Sequence, residues 1–358
     1  MAQDWLPSER IYTMLEEPRE IGQQILQGIL PFDLPDDDLD LVGRLLAYSS
    51  ECLDNHGHSE PNSSLCEQAS RFLRGGIEAI QSDEAAGRWV QLGVEFSTDR
   101  PCRDFYQRLV TEVQDLLATG RVGNWFFMHK PPGMRLRFET GANAHSWMEN
   151  HLDQLVSTWQ SDGVIEAGTF GTYEPEHVLF GGRDSIPYVH RFFTLDSMAW
   201  IKYHAQLEND PNDETSNDPA WALSLAMMQA LFSGLDITGW EDLGVWDHVR
   251  RKTGRRLFHE LLSSADFTAA ADEIRQKWRH TNMTADLSSS TQWIAEEFND
   301  GVLKVAGEWR HDYFDTRLST IGPREVAAFC VIFHWNRANL SIARQATLTE
   351  ALATWEAI

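Results

Sequence analysis

The apolar residues of this chain switch period twice, and that limits its fold more than any other feature. Up to about residue 86 they recur at helical spacing, as in "IGQQILQGIL" (21–30) and "LDLVGRLLAYSS" (39–50). At Arg88 the period falls to two: "RWVQLGVEF" (88–96) alternates as a strand does. A helix through "RDFYQRLVTEVQDLLATG" follows, then a strand-turn-strand at "NWFFMHKPPGMRLRFET" (124–140). Next come a helix around "SWMENHLDQLVSTWQSDG" and a strand at "IEAGTFGTYEPE". After residue 185 the spacing is helical again. A β-α-β-β-α-β rhythm inside helical flanks predicts an α+β fold. We expect a mixed or antiparallel sheet with helices packed on one face and a helical C-terminal half. Residues 1–86 form a helical N-terminal extension and 87–358 the main body. The acidic stretch "ENDPNDETSNDP" (208–219) reads as an exposed, mobile loop.

Charge excludes some functions. The chain has 30 Lys and Arg against 54 Asp and Glu, a formal net charge of −24. Such a surface repels phosphate and anionic lipid, so neither nucleic acid nor a membrane is an expected partner. The N-terminus lacks a signal peptide's basic start and apolar core, and no apolar run reaches the ~20 residues that span a bilayer. The four cysteines (Cys52, Cys66, Cys102, Cys330) fit no zinc spacing. Reduced thiols in a cytoplasmic protein are the expectation. His56 and His58 sit among Asn, Gly, Ser and Pro and read as a solvated loop.

Phosphate-binding glycine loops, HExxH and GxSxG are all missing. Three other stretches gather polar groups among apolar ones. Alternation places Arg135 and Arg137 on one face of a strand. They are either exposed residues paired with local carboxylates or a guanidinium fork for a carboxylate or oxyanion. In "TYEPEHVLFGG" (172–182), Tyr173, Glu174 and Glu176 precede a Gly-Gly break. A turn with solvated glutamates is the simpler reading, an inward carboxylate the alternative. In "CVIFHWNRANL" (330–340), His334, Asn336 and Arg337 interrupt an apolar helix, where unsatisfied polar groups are costly; a network is expected. His190 and Asp196, in "PYVHRFFTLDS", belong to that pocket or to the core.

Taken in order, "NWFFMHKPPGMRLRFE", "YEPEHVLFGG", "HRFFTLDS" and "HWNR" resemble the C-terminal domain of LanB-type lantibiotic dehydratases. That family includes stand-alone proteins of thiopeptide biosynthesis. The resemblance runs from about Trp89 to Arg337. It implies one of two reactions on a precursor peptide: removal of glutamate from glutamylated Ser or Thr, or the pyridine synthase reaction. The latter joins two dehydroalanines in a formal [4+2] aza-cycloaddition, then loses water and the leader peptide. Departures favour the second. "FMHK" stands where dehydratases usually carry Phe-Ile-Arg-Tyr, Met134 replaces a histidine, and Leu179 replaces an arginine associated with elimination. A stand-alone size also fits, and no long glutamylation domain is evident, so the chain is not expected to use glutamyl-tRNA by itself.

The resemblance implies no metal and no cofactor. It assigns Arg135 and Arg137 to carbonyl or oxyanion contacts, Tyr173 and Glu176 to proton transfer, and His334 to general acid/base work. Asn336 and Arg337 orient the histidine or the peptide. His190, Asp196, His129 and Lys130 are further substrate-side candidates. The implied partners are the precursor peptide and other enzymes of its pathway, with a homodimer allowed. The densest basic stretch, "HVRRKTGRRLFHELL" (248–262), offers Arg250, Arg251, Arg255 and Arg256 as a leader dock or as a solvated helix end. A split glutamate-eliminating enzyme and a non-catalytic peptide-binding scaffold are the rival readings.

Overall fold

Alternating apolar residues build the sheet where the periodicity places it. The computed structural model describes residues 88–96, 103–130, 133–141, 144–206, 218–280, 282–316 and 319–354. The helical reading of 1–86, with His56, His58, Cys52 and Cys66, lies outside the described residues, as do Cys102 and most of the acidic stretch.

Strands β1 (Trp89–Glu95), β2 (Val122–Lys130), β3 (Gly133–Thr140) and β4 (Ala167–Gly171) form one sheet in the order β2-β3-β1-β4. Every pairing is antiparallel. The mixed alternative is therefore set aside. Register seats Val90 opposite Phe138 and Leu92 opposite Leu136. Trp125 and Phe127 of β2 face the same two β3 residues from the other side. That apolar face is covered by α1 (Arg103–Ala118) and α2 (His145–Ser161). Phe105 of α1 meets Phe96 and Trp159, and Gly168 of β4 leaves just enough room for Val156 of α2.

Helix α3 (Ile186–Gln206) seals the β2 edge with side-chain hydroxyls. Thr194 Oγ1 accepts from the Trp125 amide at 3.0 Å and Ser197 Oγ from the Phe127 amide at 3.3 Å. Edge amides that would otherwise recruit another strand are thereby satisfied. Behind α3 stand α4 (Ala220–Gly234), α5 (Glu241–Thr253), α6 (His259–Leu262), α7 (Ala265–Trp278), α8 (Ser289–Trp309), α9 (Pro323–Arg337) and α10 (Ile342–Ala353). Proline at the first position of α9 starts the helix without losing a needed N–H. Trp200, Trp246, Trp309 and Trp335 are fully buried among these helices. The two-layer sheet and the helical C-terminal half match the expected α+β class. Among the described residues, no helix is long and apolar enough to cross a membrane.

The Gly-Gly break has a clear steric cause. Gly181 takes φ +85°, and a Cβ there would overlap the Tyr313 hydroxyl and Ile321. That hydroxyl donates to the Gly181 carbonyl at 2.7 Å. The short helical turn His177–Phe180 is thus pinned against the bundle, which fixes the segment before it.

Candidate active site

β3 alternation sends Met134, Leu136 and Phe138 under α1 and α2, and turns Arg135 and Arg137 to the opposite face. Arg137 is 7% exposed, although no carboxylate lies within ion-pair distance among the described residues. Its Nε donates to Gln91 Oε1 at 2.8 Å, and Nη1 has no hydrogen-bond partner. The guanidinium lies against two rings, 5.1 Å from Phe126 and 4.8 Å from Tyr173. Burial pulls its pKa down; Glu176 and Tyr173 oppose that pull, and Arg135 adds to it. Arg135 is half-buried and forms no ion pair among the described residues.

Tyr173 is buried beside it. Its hydroxyl is 3.0 Å from His190 Nε2. Burial, then the neighbouring Glu176 charge, pushes the phenol pKa well up. Burial, then His177 and Arg137, pushes His190 down to about 3. The phenol therefore keeps its proton and donates it to a neutral imidazole. Glu176 sits at the start of the His177–Phe180 turn, with Oε2 buried and unpartnered. The inward reading of this glutamate thus fits better than the solvated one, which holds for exposed Glu174.

The helix bundle contributes Arg337 from the last turn of α9. It is fully buried, and its Cζ lies 4.0 Å from the Phe193 ring and 5.9 Å from Phe126. Both guanidiniums therefore meet at Phe126. Nη1 donates to Asp196 Oδ2 at 2.7 Å, while Nε and Nη2 have no partner. Burial lowers its pKa and Asp196 opposes that. Asp196 Oδ1 is 2.5 Å from His334 Nδ1, and His334 Nε2 is 3.0 Å from Ser224 Oγ. Asp196, Ser224 and His334 are completely buried.

The other named residues lie apart from this cluster. His129 Nδ1 meets the Asn336 carbonyl at 2.9 Å and Nε2 meets the Tyr106 hydroxyl at 2.8 Å, so His129 ties β2 to α9. The Asn336 side chain turns to Gln345 instead, and Lys130 is exposed. The basic stretch ends α5 and is largely paired. Arg250 meets Asp247 and Glu350, Arg251 meets Asp247, Arg255 meets Gln345, and Arg256 meets the Arg250 carbonyl. Leu179, where the arginine would stand, is partly exposed on the short turn. A depression of about 760 Å³ between Trp240, Trp278 and Leu352 contains none of the residues above. No trio of His, Cys, Asp or Glu is placed to hold a metal among the described residues.

Sequence reading missed Gln91 and Ser224. Gln91 is the polar residue inside "WVQLGVE" and pairs in register with Arg137; Ser224 is the first polar group of the otherwise apolar α4 start "AWALSLAMM". Each was visible as a lone polar residue on an apolar stretch.

The chain is similar in structure to the tRNA-dependent lantibiotic dehydratase MibB from Microbispora sp. 107891, with a TM-score of 0.49 and 18% identity. The match covers 75% of this chain and 28% of that one, so the chain spans less than a third of that protein's length. The curated proteins contain no match. The family described as lantibiotic biosynthesis dehydratase, C-terminal, matches residues 89–355. The chain belongs to that family.

Proposed function

We propose that this protein is a biosynthetic enzyme acting on a ribosomally made precursor peptide, specifically a thiopeptide pyridine synthase. One observation carries the reading. Three buried guanidinium N–H-bearing nitrogens, Nη1 of Arg137 and Nε and Nη2 of Arg337, lack partners beside an unpartnered Glu176 oxygen and a protonated Tyr173. Buried charges are normally paired, and unsatisfied ones concentrate where a ligand completes them.

That donor set suits the hard step of the reaction. An amide between the reacting groups must become its iminol tautomer, a 2-azadiene: its nitrogen loses a proton and its oxygen gains one. Glu176 takes the N–H proton and returns it to the oxygen, while Tyr173, whose hydroxyl donates to His190 Nε2, stays protonated beside Arg137. Arg137 and Arg337 hold the charge that builds on that oxygen, at roughly 3 kcal/mol for each well-aimed donor. A good acid/base group adds about 10²–10⁴-fold. The azadiene then closes onto the second dehydroalanine through two new C–C bonds. Loss of water removes the iminol oxygen, and loss of the leader as its amide leaves an aromatic pyridine. Holding both dehydroalanines at reacting distance contributes up to about 7–11 kcal/mol, the largest share. Arg135, on the same face as Arg137, is assigned to a neighbouring carbonyl.

Glutamate elimination draws on the same feature, because the open N–H groups of the two guanidiniums also fit a glutamyl carboxylate. Leu179 in place of arginine supports the first reading over the second. The test is mass spectrometry of the protein incubated with a leader-bearing peptide containing two dehydroalanines, without added cofactor. Free leader amide and a core lighter by the leader and one water establish pyridine formation. An unchanged peptide, with turnover of a glutamyl-ester peptide, establishes elimination; silence on both points to a binding scaffold.

A further inference from the structure

Behind Arg337 runs a line of contacts that the chemistry above leaves unused: Ser224, His334, Asp196, Arg337. The order Ser-His-Asp would suit a nucleophile, but the Ser224 hydroxyl is already taken by Trp335 Nε1 and His334 Nε2, whereas Arg337 keeps open N–H groups. The contacts have a direction instead. Trp335 Nε1 donates to Ser224 Oγ at 2.9 Å, which frees the serine proton for His334 Nε2 at 3.0 Å. His334 Nε2 is then the acceptor and Nδ1 carries the proton, donated to Asp196 Oδ1 at 2.5 Å. The indole N–H of Trp200 is aimed at the same Nδ1 at 3.1 Å, so the imidazole is held from three sides. One Asp196 oxygen is thereby committed to His334, leaving Oδ2 to grip Arg337 Nη1 alone. That grip on Nη1, together with the Phe193 ring 4.0 Å from Cζ, orients the guanidinium while leaving Nε and Nη2 uncommitted.

We propose that Asp196, His334 and Ser224 are positioning residues that aim Arg337 at a substrate carbonyl or carboxylate oxygen. His334 acts through Arg337 and never touches the substrate. This rests on the reading that the Arg137–Arg337 cluster is the substrate site. It assigns Ser224 a role that its place in an apolar helix conceals.

The test uses the full chain, with turnover on the two peptides above and ¹⁵N-arginine NMR with acetate as the planar oxyanion probe. Arg337→Lys is expected to lower kcat about a hundredfold and Ser224→Ala about tenfold, with the double variant no slower than Arg337→Lys alone. Ser224→Thr, which keeps the hydroxyl, restores the rate. Additive losses would overturn the proposal, because they would mean that His334 works independently of Arg337. Should the wild-type protein turn over neither peptide, the functional reading fails and the NMR decides alone. An Arg337 Nε–H resonance that moves with acetate in the wild type, but not in Ser224→Ala, supports the brace. A resonance blind to acetate in the wild type, or equally responsive in Ser224→Ala, overturns it. Neither NMR outcome depends on Arg337→Lys folding.

Discussion

The sheet and the helix bundle each bury an arginine, and they treat it differently. On the sheet, Arg137 is held by a neutral amide and two aromatic rings, with no carboxylate at ion-pair distance among the described residues. In the bundle, Arg337 shares a buried carboxylate with a histidine that is itself hydrogen-bonded at both nitrogens. A buried charge without a counter-charge is expensive, so the fold holds Arg137 at a cost that a ligand would offset. The line from Ser224 through His334 to Asp196, by contrast, is satisfied along its length and left open only at Arg337. The difference separates what the protein uses to stand from what it uses to bind.

The sharpest way to break the contrast is to remove the bundle's counter-charge. Asp196→Asn leaves buried Arg337 without its counter-charge, and breaking such a pair costs about 3–5 kcal/mol. Denaturant unfolding should show that loss in full. A loss below ~1 kcal/mol would mean that Arg337 does not depend on Asp196.

The same operation on the sheet should give the opposite pattern. Arg137→Met keeps most of the volume and removes an uncompensated charge. Turnover should fall at least about a hundredfold, near the ~3 kcal/mol typical of one lost oxyanion donor. The melting temperature should hold or rise, as it does where activity and stability conflict. A fall in stability matching that of Asp196→Asn would make Arg137 structural and erase the comparison.

Acid offers a finer cut, because each region buries a neutral histidine. Burial holds His190, against the sheet, and His204, in the bundle, down at about 3 each. The unfolded chain protonates near 6.5 while the folded one does not, so the stability each contributes is whole above that pH. It falls as the pH drops from ~6.5 toward 3, at about 1.4 kcal/mol per pH unit for each histidine. Unfolding measured between pH 7 and 4 should steepen accordingly, and His190→Gln should lower the slope by about 1.4 kcal/mol per pH unit. An unchanged slope would show that His190 is protonated in the folded protein.

How much of this the sequence showed depends on how local the cause is. β1, β2 and β3 follow from alternation and the helices from their stripes, because each needs only neighbouring residues; β4 does not alternate and is shorter than expected, Ala167–Gly171. Alternation also put Arg135 and Arg137 on one face. It could not say whether that face was wet, since Arg137 is covered by Tyr173, from beyond the next helix and strand. Its hydrogen-bond partner Gln91 is 46 positions away, and Arg337 lies 141 from Asp196. The polar interruption at "HWNR" announced a network but not its direction. His334 and Arg337 joined it, while Asn336, one residue from Arg337, turned to α10. On a helix, a step of one residue is a rotation of about 100°, enough to change neighbours entirely.

The weakest effect is expected outside both regions, at the exposed cations ending α5. Arg251 is 67% exposed and meets Asp247 at 2.9 Å, an ion pair already inside one turn of helix. Such pairs contribute between zero and about 1 kcal/mol, so Arg251→Ala should leave unfolding nearly unchanged. Its value lies in binding. A leader that docks there would bind more weakly in Arg251→Ala, and the salt dependence of its affinity would shrink, because screened charge is what the contact uses. With Asp247 already on Arg251, and Asp247 and Glu350 on Arg250, little positive field remains to attract an acidic segment. The expected result is therefore an affinity for the leader-bearing peptide within about twofold of the wild type at both 50 and 200 mM salt. A larger loss, confined to low salt, would move the leader dock to α5 and give the acidic surface a functional exception beyond the buried arginines.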